Sequence, residues 1–89
     1  MLSERLREFL TTWCIPETGP EEVAAMLHGP SGAYYRQWLK PELLAAVRGK
    51  ELTPELMTRL TGAAFRNEQD VQHWLRLVWS SWFLEPFPG

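Results

Sequence analysis

The segment of residues 71–84 is too apolar for a helix that covers a single core. At about 100° per residue, one helical stripe contains Val71, Trp74, Leu75, Val78 and Trp82. Leu77 widens the apolar surface on one side of this stripe, and Trp79 and Phe83 widen it on the other. The apolar positions span roughly 240° of the helical wheel, whereas a surface helix needs only about 100°. The pattern therefore predicts either a central helix surrounded by others or a helix that partly faces a second molecule.

The chain has 89 residues, a length that fits one domain. Such a short chain buries only about 60% of its unfolded surface, so it needs large side chains. Five Trp, four Phe and two Tyr supply them, at roughly 150–250 Å² each. Because aromatic residues also dominate interface hot spots, this content fits both a stable core and partner binding.

The charge balance argues against several functional classes. Nine Lys and Arg stand against eleven Asp and Glu, whereas a nucleic-acid binder has a clustered basic surface. The single Cys14 excludes an intramolecular disulfide and a cysteine-based metal site. The N-terminal residues are charged where a signal peptide is apolar, and no apolar stretch approaches about 18 residues. We therefore expect a soluble cytoplasmic protein with neither a membrane nor a nucleic acid as direct partner.

Two helices are predicted in the first 30 residues. Ser3 can cap the first, and Pro16 disfavours helical geometry at the residue before it. The apolar residues of this helix recur at helical spacing: Leu2, Leu6, Phe9, Leu10 and Trp13. The second helix begins at Thr18-Gly19-Pro20-Glu21, which has the form of a capping box. It ends at the stop signal His28-Gly29-Pro30.

Residues 33–48 predict two helices rather than one. The apolar residues before Pro41 lie between about 0° and 140° of the wheel, and those after it between about 180° and 280°. Because the apolar face does not continue through Pro41, a break at Lys40–Pro41 would let both faces point inward. Gly49 closes the second of these helices.

The remaining residues predict two more helices and a tail. Thr53 can cap one helix that ends at Gly62, and Asn67 can cap the last. Two prolines prevent a helix in residues 84–89, which predicts an extended tail. No segment alternates with the period of a strand. We therefore predict an all-α fold: a compact single domain over residues 1–89, with five or six short helices and a long, aromatic-rich C-terminal helix.

The sequence contains no catalytic signature, so we expect no enzyme, no cofactor and no metal. The two histidines are isolated and lack metal-ligand spacing. Cys14 lies between apolar neighbours, which indicates a buried structural thiol rather than a nucleophile. Glu21 and Glu22 point about 100° apart on a helix and do not by themselves form a carboxylate dyad.

The sequence offers more candidate residues for binding a partner than for catalysis. Glu17, Glu21 and Glu22 form an acidic patch that could steer a basic partner, or they are ordinary capping residues around a solvated turn. Trp79 and Phe83 are an exposed aromatic anchor, or they pack under the tail. Tyr34 and Tyr35 cannot both face the core, and an exposed Tyr is common in interfaces. The candidate contact residues are Glu17, Glu21, Glu22, Tyr35, Trp79 and Phe83.

A helix-start phrase and spaced aromatic residues occur in the second half of the chain: Lys50-Glu51-Leu52-Thr53-Pro54-Glu55, Leu60-Thr61-Gly62, Phe65, Trp74-Leu75 and Trp79. This pattern, within residues 35–83, resembles the small helical immunity proteins of contact-dependent growth inhibition and related polymorphic toxin systems. The resemblance implies a cytosolic protein that binds a cognate toxin domain and blocks its active site or substrate entry. Binding residues diverge between members, so the resemblance assigns none here.

We therefore expect an immunity-type inhibitor that neutralises a toxin by stoichiometric binding. An interface of about 800 Å² per partner would bury an aromatic and acidic surface against a partner such as a basic toxin or nuclease domain. One alternative is a phage- or plasmid-encoded inhibitor of a bacterial defence complex. Another is a structural homodimer in which Trp79 and Phe83 pair across a two-fold axis.

Overall fold

The computed structural model describes residues 2–88. In this part of the chain the structure has six α-helices, one 3₁₀ turn and no strand, which confirms the predicted all-α fold. The radius of gyration is 12.0 Å, close to the value of about 12 Å for a compact chain of this length. The elements are α1 (Glu4–Trp13), α2 (Pro20–His28), the 3₁₀ turn (Pro30–Gly32), α3 (Ala33–Arg36), α4 (Leu39–Arg48), α5 (Pro54–Thr61) and α6 (Glu68–Phe83).

The predicted caps of α1, α5 and α6 are confirmed. The side chains of Ser3, Thr53 and Asn67 each accept a hydrogen bond of 3.0–3.2 Å from the backbone N–H three residues on. Gly62 ends α5 in the left-handed region, at φ 78°, where a residue without Cβ is favoured. These short-range hydrogen bonds fix where the three helices begin, and the backbone geometry of Gly62 fixes where α5 ends.

The capping box predicted for α2 is wrong. The N-cap is Gly19, and no side chain caps this helix. Pro20 takes the first helical position, so Thr18 lies one residue too early to be the N-cap.

The division between α3 and α4 is confirmed, but the predicted break at Lys40–Pro41 lies too late. The helices are separated at Gln37–Trp38, and α4 already begins at Leu39. Pro41 therefore lies in the first turn of α4, where its missing N–H leaves no helical hydrogen bond unmade.

The corner between α2 and α3 depends on Gly32. This residue is buried, and a Cβ there would collide with the backbone of Leu27. Arg36 extends back from α3 and donates to the carbonyl oxygens of Leu27 and, at 2.9 Å, Gly29. It thus satisfies carbonyls that the end of α2 leaves free. The short α3 is therefore held against α2.

The core lies between α6 and the other helices. α6 packs on α2 and α5, while α1 packs on α4 and α5. The ring of Phe9 links these layers, with edge-on contacts to Trp38 and Trp82 at centroid distances of 6.4 and 5.6 Å. The largest fully buried side chains are Trp79, Phe9, Leu6, Leu10, Leu39, Leu43, Met57, Leu75, Val23 and Val78.

The two sides of the wide apolar face of α6 have different environments. Trp79 is 0% exposed, whereas Leu77 is 51% exposed. After α6 the chain reverses, and the ring of Phe87 packs on Trp79 at a centroid distance of 5.4 Å. Glu85 accepts a hydrogen bond from Trp79 Nε1 at 3.5 Å and pairs with Lys40. The predicted tail is non-helical but folds back onto α6; its last residue, 89, lies outside the described residues.

Candidate functional site

An apolar cleft opens between the loop that joins α1 to α2 and the loop that joins α5 to α6. Its volume is about 200 Å³. Buried Val23 and Val78 contribute to its lining. We call this site the aromatic cleft, defined by Trp13, Ile15, Pro16, Phe65, Trp74 and Trp82.

Contacts between side chains hold the cleft rings in place. Nε1 of Trp13 donates a 3.3 Å hydrogen bond to the hydroxyl oxygen of Tyr35. The ring of Trp74 makes edge-on contacts with Phe65 and Trp82, at centroid distances of 6.0 and 5.8 Å. Because these rings are fixed by their neighbours, a ligand would find the cleft already formed, which lowers the entropy cost of binding.

The polar atoms in the cleft wall are neutral. Burial raises the pKa of the Cys14 thiol to about 12, so the thiol stays protonated near neutral pH and is a poor nucleophile. The Thr61 hydroxyl donates to the Met57 carbonyl at 2.7 Å and accepts from the Ala63 N–H at 3.1 Å. The cleft is therefore suited to an apolar group held by shape and ring contacts.

The predicted acidic patch lies beside this cleft. Glu17 follows Pro16, and Glu21 follows Pro20, and both prolines line the cleft. Glu17, Glu21 and Glu22 are all exposed, and within residues 2–88 none of them forms an ion pair. The α2 N-terminus offsets only about half a charge, so this edge of the cleft is acidic.

The opposite edge of the cleft is close to neutral. Arg66, next to Phe65, donates to the Asp70 carboxylate from its backbone N–H at 2.9 Å and from Nε at 3.3 Å. These contacts, the backbone hydrogen bond foremost, lower the pKa of Asp70. The cleft rim is therefore negatively charged on the α2 side and nearly neutral on the side of Arg66 and Asp70.

The three aromatic candidates do not line the cleft. Tyr35 is half-buried and supports the cleft wall through its hydrogen bond with Trp13, while its neighbour Tyr34 is 55% exposed. Phe83 is half-buried against Trp79 at a centroid distance of 4.7 Å. The exposed-anchor alternative is wrong for Trp79, which is 0% exposed because the tail and Phe83 cover its ring.

Sequence reasoning missed the aromatic cleft itself. It assigned Trp13 and Trp74 to core stripes, but both are only half-buried. A signal was present in the two loops: Ile15 and Phe65 are large apolar residues in connecting segments, where polar residues are the rule. One large apolar residue in each of two otherwise mixed loops is a signal for a surface site.

Residues 2–88 contain no group of His, Cys, Asp or Glu side chains that could hold a metal ion. Within the same residues, no helix has the length and apolar character needed to cross a membrane. Comparison of the chain with known protein families, curated proteins and solved structures gave no match.

Proposed function

We propose that this protein is a non-catalytic, immunity-type inhibitor that binds a basic toxin or nuclease domain in the bacterial cytoplasm and neutralises it in a stoichiometric complex. One observation carries the proposal: three exposed glutamates, without an ion pair in residues 2–88, are each next in sequence to a residue that lines a preformed aromatic cleft. The class of partner is the one implied by the resemblance to immunity proteins.

The distribution of charge along the chain supports a basic partner. Residues 1–28 contain five acidic and two basic residues, whereas residues 29–89 contain six acidic and seven basic residues. Because the two acidic and two basic residues of α1 cancel, the excess negative charge lies in the α1–α2 loop and the first turn of α2. A one-sided field of this kind raises the association rate with an oppositely charged surface, and salt screens it over about 8 Å at physiological ionic strength.

The aromatic cleft supplies the second element that a stable interface needs. Interface cores are apolar and rich in aromatic residues, and their rims are polar. Here the cleft would form the core, and Glu17, Glu21 and Glu22 would form part of the rim. Neither element requires a reacting group, so this mode of action agrees with a protonated Cys14 thiol.

The test is inhibition of a purified toxin domain encoded next to this gene. We expect activity to fall to zero at a one-to-one ratio, with a one-to-one complex by light scattering. The double variant Glu21→Lys with Glu22→Lys should slow association at low salt by about tenfold.

A matched control distinguishes the effect of the local acidic patch on the association rate from the effect of net charge. Glu55 and Glu68 are also exposed glutamates in the first turns of helices. Replacing both by Lys moves the formal net charge from −2 to +2, as the double variant of α2 does. Equal slowing by the two double variants would refute the patch, and full toxin activity at excess inhibitor would refute the function.

A further inference from the structure

We infer that the aromatic cleft is an anchor site for one aromatic side chain of a partner segment whose flanking Lys or Arg residues lie on the α2 side. The identity of this partner as a basic protein rests on the function proposed above. The cleft and its charged edge are features of this chain alone and can be tested without the natural partner.

The size of the cleft limits its occupant to a single ring. An apolar cavity of about 150 Å³ holds benzene, and the aromatic cleft measures about 200 Å³. Its walls include Trp13, Phe65 and Trp74, and aromatic pairs gain stabilisation from edge-to-face contact beyond their buried area. A phenyl group therefore fits the cleft better than an aliphatic side chain.

The charge at the rim determines what can flank that ring. Glu17 and Glu21 lie on the α2 side, while the Arg66–Asp70 pair leaves the other side nearly neutral. A cation next to the ring is therefore attracted only from the α2 side. A carboxylate at the same position is repelled.

A second cleft near the end of α6 lacks this selectivity. Its rim contains His28, Arg36 and Lys40, but each is already engaged. Nε2 of His28 donates to the carbonyl oxygens of Ser81 and Trp82 at 3.2 and 3.1 Å, Arg36 binds the end of α2, and Lys40 pairs with the tail. Glu85 neutralises Lys40, and the negative end of the α2 dipole offsets part of the charge of Arg36, so this rim has a weaker net charge than the acidic edge of the aromatic cleft.

Gly19 offers a way to close the aromatic cleft without straining the backbone. It lines the cleft, and a Cβ built there has no neighbour within 4 Å. Its backbone, at φ −71° and ψ 158°, is ordinary extended geometry. Gly19→Trp should therefore cover the cleft in a folded protein, whereas Gly19→Ala should leave it open.

The experiment is an NMR titration of the intact ¹⁵N-labelled protein with the peptide acetyl-Lys-Phe-Lys-Lys-amide. We expect saturable shifts of the indole N–H signals of Trp13 and Trp74 and a constant signal from Trp79, which the tail covers. An alanine in place of the peptide phenylalanine should weaken binding at least about tenfold. Gly19→Trp should abolish binding, and Gly19→Ala should retain it.

Charge selectivity is tested with acetyl-Glu-Phe-Glu-Glu-amide, which should bind at least about tenfold more weakly. The double variant Glu21→Lys with Glu22→Lys should reduce or reverse this preference. Equal binding of both peptides, retained binding in Gly19→Trp, or no saturable shift at about 10 mM peptide overturns the inference.

The outcomes separate this inference from the proposed function. If the peptide binds as described but the neighbouring toxin domain is not neutralised, the proposed function fails and the anchor site stands. If the toxin domain is neutralised equally by wild-type protein and by Gly19→Trp, the function stands and the anchor site fails.

Discussion

Replacing Phe87 by alanine tests whether the C-terminal tail is part of the core. The ring of Phe87 lies 5.4 Å from that of Trp79, at an interplanar angle of 66°. Trp79 is 0% exposed, and Phe87 is one of the groups that cover it. Truncating Phe87 therefore removes its own burial and opens part of the Trp79 indole to water.

The magnitude follows from the half-burial of Phe87. Removing a fully buried Phe side chain costs about 3–5 kcal/mol, so a half-buried one should cost about 2 kcal/mol. This value includes the lost edge-to-face contact, which is worth about 0.5–1.5 kcal/mol. In a domain of this size, a loss of about 2 kcal/mol lowers Tm by about 8–16 °C.

The free energy of unfolding is measured by urea denaturation with far-UV circular dichroism. Acrylamide quenching should rise in Phe87→Ala, because it reports water access to the Trp rings. Pro88→Ala is the matched control, since this neighbouring residue is exposed. If Phe87→Ala stays within about 0.5 kcal/mol of wild type and quenching is unchanged, the tail does not cover Trp79 and our account of α6 is refuted.

Three further predictions concern stability. Leu84 adopts φ 56°, in the left-handed region that favours glycine. The free energy of unfolding of Leu84→Gly should therefore be about 0.5–1 kcal/mol higher than that of Leu84→Ala, and equal urea midpoints would contradict this. Asn67→Ala should lower the free energy of unfolding by about 1 kcal/mol, because the Asp70 N–H loses its acceptor, whereas Asn67→Ser should retain most of it. Folding raises the pKa of Cys14 from 9.0 to about 12, so the unfolded chain releases the thiol proton first. Stability from this group is therefore present below pH 9.0 and is lost as the pH rises toward about 12. Cys14→Ala should show a flatter stability profile in urea titrations across this range.

The helix boundaries that depend on neighbouring residues could be predicted from the sequence. Ser3, Thr53 and Asn67 cap within one turn, and Gly62 ends α5 through its own backbone geometry. The start of α4 could not be placed in this way, because Pro41 is compatible with both a break and a first turn. The local sequence allows either arrangement, and in the structure Pro41 lies in the first turn of α4.

At the candidate site, too, features set by neighbouring residues could be predicted, and features set by contacts between distant segments could not. The exposure of Glu17, Glu21 and Glu22 could be predicted because isolated charges remain in water. The burial of Trp79 could not, because a helical wheel does not show which side the returning tail covers. The aromatic cleft could be signalled by the apolar loop residues Ile15 and Phe65, but the sequence could not bring them together, since these loops lie almost 50 residues apart.

The crowding at Gly32 limits how this chain can vary. Any side chain there would have to push the 3₁₀ turn away from α2, and Arg36 would lose its hold on the Leu27 and Gly29 carbonyls. A saturation-mutagenesis survey of cellular abundance should therefore find position 32 as intolerant as the buried leucines, while exposed Ser31 accepts replacement. A design that changes the orientation of Tyr34 and Tyr35 in α3 should keep Gly32 and alter the residues that follow it.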